Sequence, residues 1–113
     1  MNLSDLVKEF GLDVKACSGH LDREVTGGYV SDLLSDVLAH AEDGNIWITL
    51  HIHQNIVAVA SHKDLAAVIL VQNRQPEKDA IAKAEAENIP LLVSSFSAFE
   101  LAGRLYKAGI RGA

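Results

Sequence analysis

Three short, unbroken apolar runs, at residues 46–50, 66–71 and 91–93, constrain this chain more than anything else in it. Each is too short for a buried helix, and the first two are rich in Ile and Val, which suit a pleated surface. Apolar character without alternation marks strands covered on both faces. Between the runs, the spacing becomes helical. In residues 54–62, Ile56, Val57 and Ala60 share one face of an expected helix, although Val and Ile also suit a strand there. Pro76 sits where a first-turn proline belongs, with Glu77 and Asp79 near the positive end of a helix dipole. That helix is expected to reach Glu87, with Asn88 as its cap and Pro90 as its stop. After the third run, Ser97 and Glu100 have the spacing of a capping box, with Phe96 and Leu101 placed as a hydrophobic staple. Leu101, Leu105 and Tyr106 are expected to face inward, and Gly109 to end this last helix.

The amino-terminal part is less regular. Leu3, Leu6, Val7 and Phe10 recur at helical spacing, and Gly11 closes that helix. Residues 12–17 alternate weakly and predict a strand, followed by a turn at Ser18-Gly19-His20. Residues 23–26 are a candidate short strand, broken by Gly27-Gly28. Val30, Leu33, Leu34, Val37, Leu38 and Ala41 then fall on one face of an expected helix, which Asp43-Gly44-Asn45 ends. Alternating strands and helices predict a three-layer α/β/α fold, with a mostly parallel sheet of four to five strands.

A chain of 113 residues is one ordinary domain, and 49% hydrophobic residues supply a core. A net charge of −5, with the acids spread along the chain, argues against nucleic acid as a partner. Cys17 is the one cysteine, so an internal disulfide is excluded and a reducing cytoplasm fits best. Cys17 is expected to be a small core residue. The first five residues lack the character of a signal peptide, and the longest apolar run is far too short to span a bilayer. No cofactor is expected.

In parallel sheets, ligands bind beyond the carboxyl ends of the strands. The loops expected there are Thr26-Gly27-Gly28, His51-Ile52-His53, Gln72-Asn73-Arg74-Gln75 and Ser94-Ser95. The candidate ligand contacts are Thr26, Gly27, Gly28, His53, Asn73 and Arg74. The glycines admit close backbone approach before a helix N-terminus, Arg74 supplies a cation, and His53 supplies a proton-sensitive group. His51 and His53 are weak candidates for a metal, since on an extended segment they share a face, but a third ligand is not evident. Ser94 and Ser95 lack a nucleophile elbow, and cap and turn roles suit them better. The chain has no Gly-Lys-Ser or Gly-Lys-Thr, so phosphotransfer is not expected.

Several segments together resemble the DRTGG-domain family. They are Val25-Thr26-Gly27-Gly28-Tyr29-Val30-Ser31-Asp32-Leu33-Leu34, Ile46-Trp47-Ile48-Thr49, Asn55-Ile56-Val57-Ala58-Val59-Ala60 and the stretch from Ser97 to Tyr106. The resemblance covers nearly the whole chain, residues 1–113 as a single DRTGG-like domain. It runs to small stand-alone members encoded beside iron-only hydrogenases. It implies a fold like the N-terminal domain of HPr kinase/phosphorylase and a regulatory role with a ligand that is not established. Two loops depart from the family pattern. His51-Ile52-His53 stands where many members carry Gly-Asp-Arg, and Gln72-Asn73-Arg74 stands where many carry Thr-Gly-Gly. Asp22-Arg23 and Thr26-Gly27-Gly28 occur earlier, split by two residues.

Taken together, a non-catalytic regulatory or accessory protein is expected. It would bind a small anionic ligand, a partner protein of a hydrogenase or electron-transfer system, or both. A chain this rich in Val, Ile, Leu and Ala also predicts a homodimer. The alternative is a small metal-binding protein or enzyme using His51 and His53. A purely structural assembly module is a third reading.

Overall fold

The computed structural model describes residues 1–112. Five helices and five strands alternate along them: α1 Leu3–Phe10, β1 Asp13–Ala16, β2 Gly27–Val30, α2 Leu34–His40, β3 Asn45–Thr49, α3 Asn55–His62, β4 Ala67–Leu70, α4 Lys78–Glu87, β5 Leu91–Val93 and α5 Ala98–Lys107. The strands form one sheet in the order β1-β5-β4-β3-β2. β2, β3, β4 and β5 run parallel, with Gly27 opposite Asn45, Ile46 opposite Ala67 and Val68 opposite Leu91. β1 runs antiparallel to β5, so the sheet is mostly parallel as its sequence pattern requires.

The sheet is covered on both faces, which gives the three layers. Side chains alternate across it. Trp47, Val68, Leu70, Leu91 and Val93 point to the face covered by α2, α3 and α4, through Val37, Ile56, Val57, Ala60, Ala80 and Ala84. Ile46, Ile48, Ala67, Ile69 and Leu92 point to the other face, covered by α1 and α5 through Leu3, Leu6, Leu101 and Leu105. Every residue of β3, β4 and β5 is buried. That explains the unbroken apolar runs, since neither face of these strands meets water.

Local signals set the helix ends. Gly11 and Asn88 both adopt left-handed backbone, at φ 61° and φ 58°, and end α1 and α4 as expected. Ser97 caps α5 by accepting from Glu100 N–H, and Phe96 and Leu101 meet in one core cluster. The return half of that capping box is not made, because the Glu100 carboxylate binds Arg104 instead, at 2.8 Å. A complete box occurs at α1. Asn2 Oδ1 accepts from Asp5 N–H at 2.9 Å, and Asp5 Oδ2 accepts from Asn2 N–H at 3.1 Å.

Five expectations are corrected. Residues 23–26 are not a strand; only Glu24 makes an isolated bridge, to Asn2. The strand begins at Gly27 and contains the two glycines expected to break it. The helix after it is shorter than its periodicity suggested, leaving Val30 and Leu33 outside it and exposed, and within it Leu38 is exposed too. Pro76 precedes the N-cap Glu77 rather than sitting in the first turn of α4. Tyr106 is exposed, because α5 turns only Leu101 and Leu105 fully into the core.

Candidate functional site

The structure separates the expected contacts onto two opposite edges of the sheet. Gly27 pairs with Asn45, the first residue of β3, so Thr26, Gly27 and Gly28 lie at the amino edge, not the carboxyl edge. His53, Asn73 and Arg74 follow the carboxyl ends of β3 and β4. The expected placement fails because β2 starts where a turn was predicted to follow a strand.

At the amino edge, these residues hold the chain together. Thr26 Oγ1 donates to Asp43 carbonyl at 2.7 Å and accepts from Asn45 Nδ2 at 3.1 Å. Neither Gly27 nor Gly28 has a positive φ. Gly27 is glycine for another reason. A Cβ there would lie 2.9 Å from the Arg111 carbonyl oxygen, where the carboxyl-terminal segment crosses β2. Gly28 N–H donates to that same oxygen at 2.8 Å. Arg23 adds Asp43 at 2.6 Å and Asp64 at 3.1 Å. The Asp22-Arg23 and Thr26-Gly27-Gly28 segments therefore act as a structural clasp.

At the carboxyl edge, a crevice of about 310 Å³ is lined by Asp32, Leu50, His51, Ile52, His53, Arg74 and Glu77. Four segments build it. Asp32 comes from the loop between β2 and α2, the histidines from the loop after β3, Arg74 from the loop after β4, and Glu77 from the N-cap of α4. Glu77 N–H donates to Ile52 carbonyl at 3.1 Å and joins two of the walls. Gln72 and Asn73 are consecutive left-handed residues, at φ 56° and 58°. Their N–H groups reach across to Phe96 and Ser94 carbonyls, each at 2.8 Å, which turns the chain so that Arg74 faces the crevice. Asn73 shares the edge without lining the crevice.

Asp32 is the residue that sequence reasoning passed over, since it fell within the helix expected from Val30 to Ala41. Its Oδ1 accepts from Thr49 Oγ1 at 2.7 Å and from Leu50 N–H at 2.8 Å. Partial burial pushes the carboxyl up, but those two bonds, with His51 and Arg74 nearby, outweigh it and hold the group below the usual carboxylate range. The charged form is therefore the resting form. The Arg74 guanidinium has no hydrogen-bond or ion-pair partner among the described residues.

The two histidines do not act together. His51 Nε2 meets the Asp32 carbonyl oxygen, while His53 Nδ1 meets the Asn55 side chain. Among the described residues no three His, Cys, Asp or Glu side chains are grouped as a metal site requires. Ser94 is buried and its Oγ accepts from Phe96 N–H at 3.1 Å, a turn role. Cys17 is buried, with its Sγ 3.2 Å from Ala84 carbonyl. Burial, and then the Glu85 carboxylate, raise its thiol pKa.

Two other depressions exist. A wider groove of about 640 Å³ runs between the end of α1 and α5, lined by Glu9, Phe10, Glu100, Gly103, Arg104, Lys107 and Ala108. Its arginine is already engaged, with Glu100 and over the Phe96 ring at 4.4 Å. An apolar groove of about 160 Å³ lies between β2 and α5 and carries almost no polar surface. Size favours the first groove, and its Lys107 also makes no hydrogen bond or ion pair among the described residues, but the carboxyl-edge crevice sets its unpaired cation beside a carboxylate fixed by two hydrogen bonds.

No helix among the described residues is long and apolar enough to cross a membrane. No protein-family model matches the chain, and no curated protein matches it. Among solved structures, the chain is similar to the CBS and DRTGG domains of the regulatory region of a Clostridium perfringens pyrophosphatase, crystallised with its activator diadenosine tetraphosphate. The TM-score is 0.71 at 18% identity. The match covers 91% of this chain and 44% of that one, so this chain spans less than half of that regulatory region. What the two share is the fold, a five-stranded, mostly parallel sheet with helices on both faces.

Proposed function

We propose that this chain is a regulatory or accessory module, one DRTGG-like domain without catalysis of its own, that binds a small anionic ligand in the carboxyl-edge crevice. The observation that carries the reading is the Arg74 guanidinium, unpaired among the described residues, facing a crevice whose Asp32 carboxylate is fixed by a backbone and a side-chain bond. A free arginine on a preorganised wall is suited to a phosphate or carboxylate. The similar pyrophosphatase region binds a nucleotide activator, which supports an anionic ligand for this fold. The ligand contacts in this reading are His53 and Arg74, with Asp32 and His51 beside them; Thr26, Gly27 and Gly28 keep the fold intact at the far edge. In the cell the module would be cytoplasmic and homodimeric. It would report to a partner protein of a hydrogenase or another electron-transfer system.

Thermal shift of the purified protein with inorganic phosphate, acetyl phosphate and a nucleotide series tests the reading. At least one anion should raise the melting temperature, and Arg74→Ala should remove that rise while leaving the unliganded melting temperature nearly unchanged. An Arg74→Ala protein that responds like the parent would end the proposal.

A further inference from the structure

The crevice holds more than a cation. Asp32 and Glu77 stand with Arg74, so with both histidines neutral its lining carries one net negative charge. Such a wall suits one anionic group at Arg74 and repels further negative charge. Asp32 spends Oδ1 on Thr49 and Leu50 and keeps Oδ2 without a partner among the described residues. A fixed carboxylate just past the end of a parallel strand is well placed to accept from a pair of sugar hydroxyls. Leu50 and Ile52, both half-buried, supply apolar wall between the charged ends. A volume of about 310 Å³ lies at the small end of ligand pockets and suits one small ligand.

We infer that the crevice selects a ribonucleoside monophosphate, with Arg74 on the phosphate, Asp32 on the ribose hydroxyls and Glu77 excluding a second and third phosphate. This rests on the crevice being the ligand site proposed above, and it adds the ligand class and a rule of selection. Glu77 is the specificity element. Its carboxylate makes no cap bond to α4 and lines the crevice, free to meet a ligand.

Isothermal titration calorimetry on the full chain tests this with AMP, GMP, CMP and UMP, with 2′,3′-dideoxy-AMP, ADP and ATP, and with inorganic phosphate. At least one monophosphate should bind about tenfold or more tightly than phosphate, its dideoxy form and its triphosphate. Asp32→Asn, which keeps the oxygen that Leu50 and Thr49 use, should weaken the monophosphate while inorganic phosphate binds no more weakly than to the parent. Glu77→Gln should bring the triphosphate up toward the monophosphate. Triphosphate binding tighter than monophosphate, or phosphate binding as tightly as any nucleotide, would overturn the inference while leaving an Arg74-dependent anion site standing. Absence of binding by every anion would overturn both.

Discussion

Gly27 and Gly103 are glycines of opposite kinds. At Gly27 the space is taken: an added Cβ would lie 2.9 Å from a backbone oxygen of residue 111 and 3.2 Å from the Asn45 amide nitrogen. A backbone oxygen cannot swing aside as a flexible side chain can. Gly27→Ala should therefore cost about 1–3 kcal/mol by forcing β2 and the carboxyl-terminal segment apart. Gly103 lies inside α5, exposed, with nothing within 4 Å of an added Cβ. Gly103→Ala should instead stabilise by about 0.5–1 kcal/mol, since glycine is a poor helix former. Urea unfolding of the two variants checks both signs, and equal effects in the same direction would refute the distinction. The sequence places Gly103 inside an expected helix, but nothing local to Gly27 shows that it is crowded. The neighbour that makes Gly27 obligatory lies eighty-four positions away along the chain, at Arg111.

At the scale of elements, α2 is the segment with the fewest reasons to hold. It has seven residues, no side-chain cap at Leu33 and one fully buried side chain, Val37. Its anchor is polar. Asp36 in its first turn accepts from Tyr29 Oη on β2 at 2.9 Å and meets His40 Nδ1 at 3.0 Å. Hydrogen bonds from Ser31, Tyr29 and His40 hold the Asp36 carboxyl below its ordinary range, and the same bond to Asp36 raises the Tyr29 phenol. For a carboxyl with a lowered folded-state pKa, the stabilisation is present above the unfolded value, about 3.9, and is lost as pH falls through the folded value. For the raised phenol, it is present below about 10 and lost as pH rises through the folded value. Amide protection in α2, the exchange rate taken relative to the intrinsic rate at each pH, should therefore be greatest between these limits and fall below about pH 4. Asp36→Asn should flatten the acid limb, and an unchanged acid limb would show that the pair does not hold the helix.

The same part of the chain is where sequence reasoning fell short. β3, β4, β5 and the helices between them announce themselves, because burial on both faces leaves unbroken apolar runs. β2 is an edge strand beginning Gly-Gly, with one flank on β3 and the other touched by residues 111 and 112. Its identity depends on partners distant in sequence, and locally it looks like a turn. Misplacing it carried Thr26, Gly27 and Gly28 to the wrong edge of the sheet. It also hid Asp32, which lies just after the strand and not within a helix. His53 and Arg74 were legible because the strands before them were.

Seen whole, the sheet has two edges with different work. The amino edge is closed by paired groups: Arg23 with Asp43, Asp64 and the Asp64 carbonyl, and Thr26 with Asp43 and Asn45. The carboxyl edge keeps Arg74 unpaired beside Asp32 and Glu77. Groups that pair within the protein stabilise it, whereas on the reading proposed above Arg74 is held for a ligand. The two arginines should therefore dissociate stability from binding. Arg23→Ala removes two carboxylate contacts and leaves Asp43 and Asp64 facing each other across the clasp. Arg23 is partly exposed, which weakens each ion pair, so the loss should be about 1–2 kcal/mol, or a melting temperature roughly 5 °C lower. Its anion affinity should match the parent's, measured below the lower melting point. Arg74→Ala should melt with the parent, within about 0.5 kcal/mol, and lose its anion response. Melting curves and titrations on the same two preparations give all four values. A destabilised Arg74→Ala, or an Arg23→Ala that loses ligand while still folded, would mean that the edges are not divided in this way.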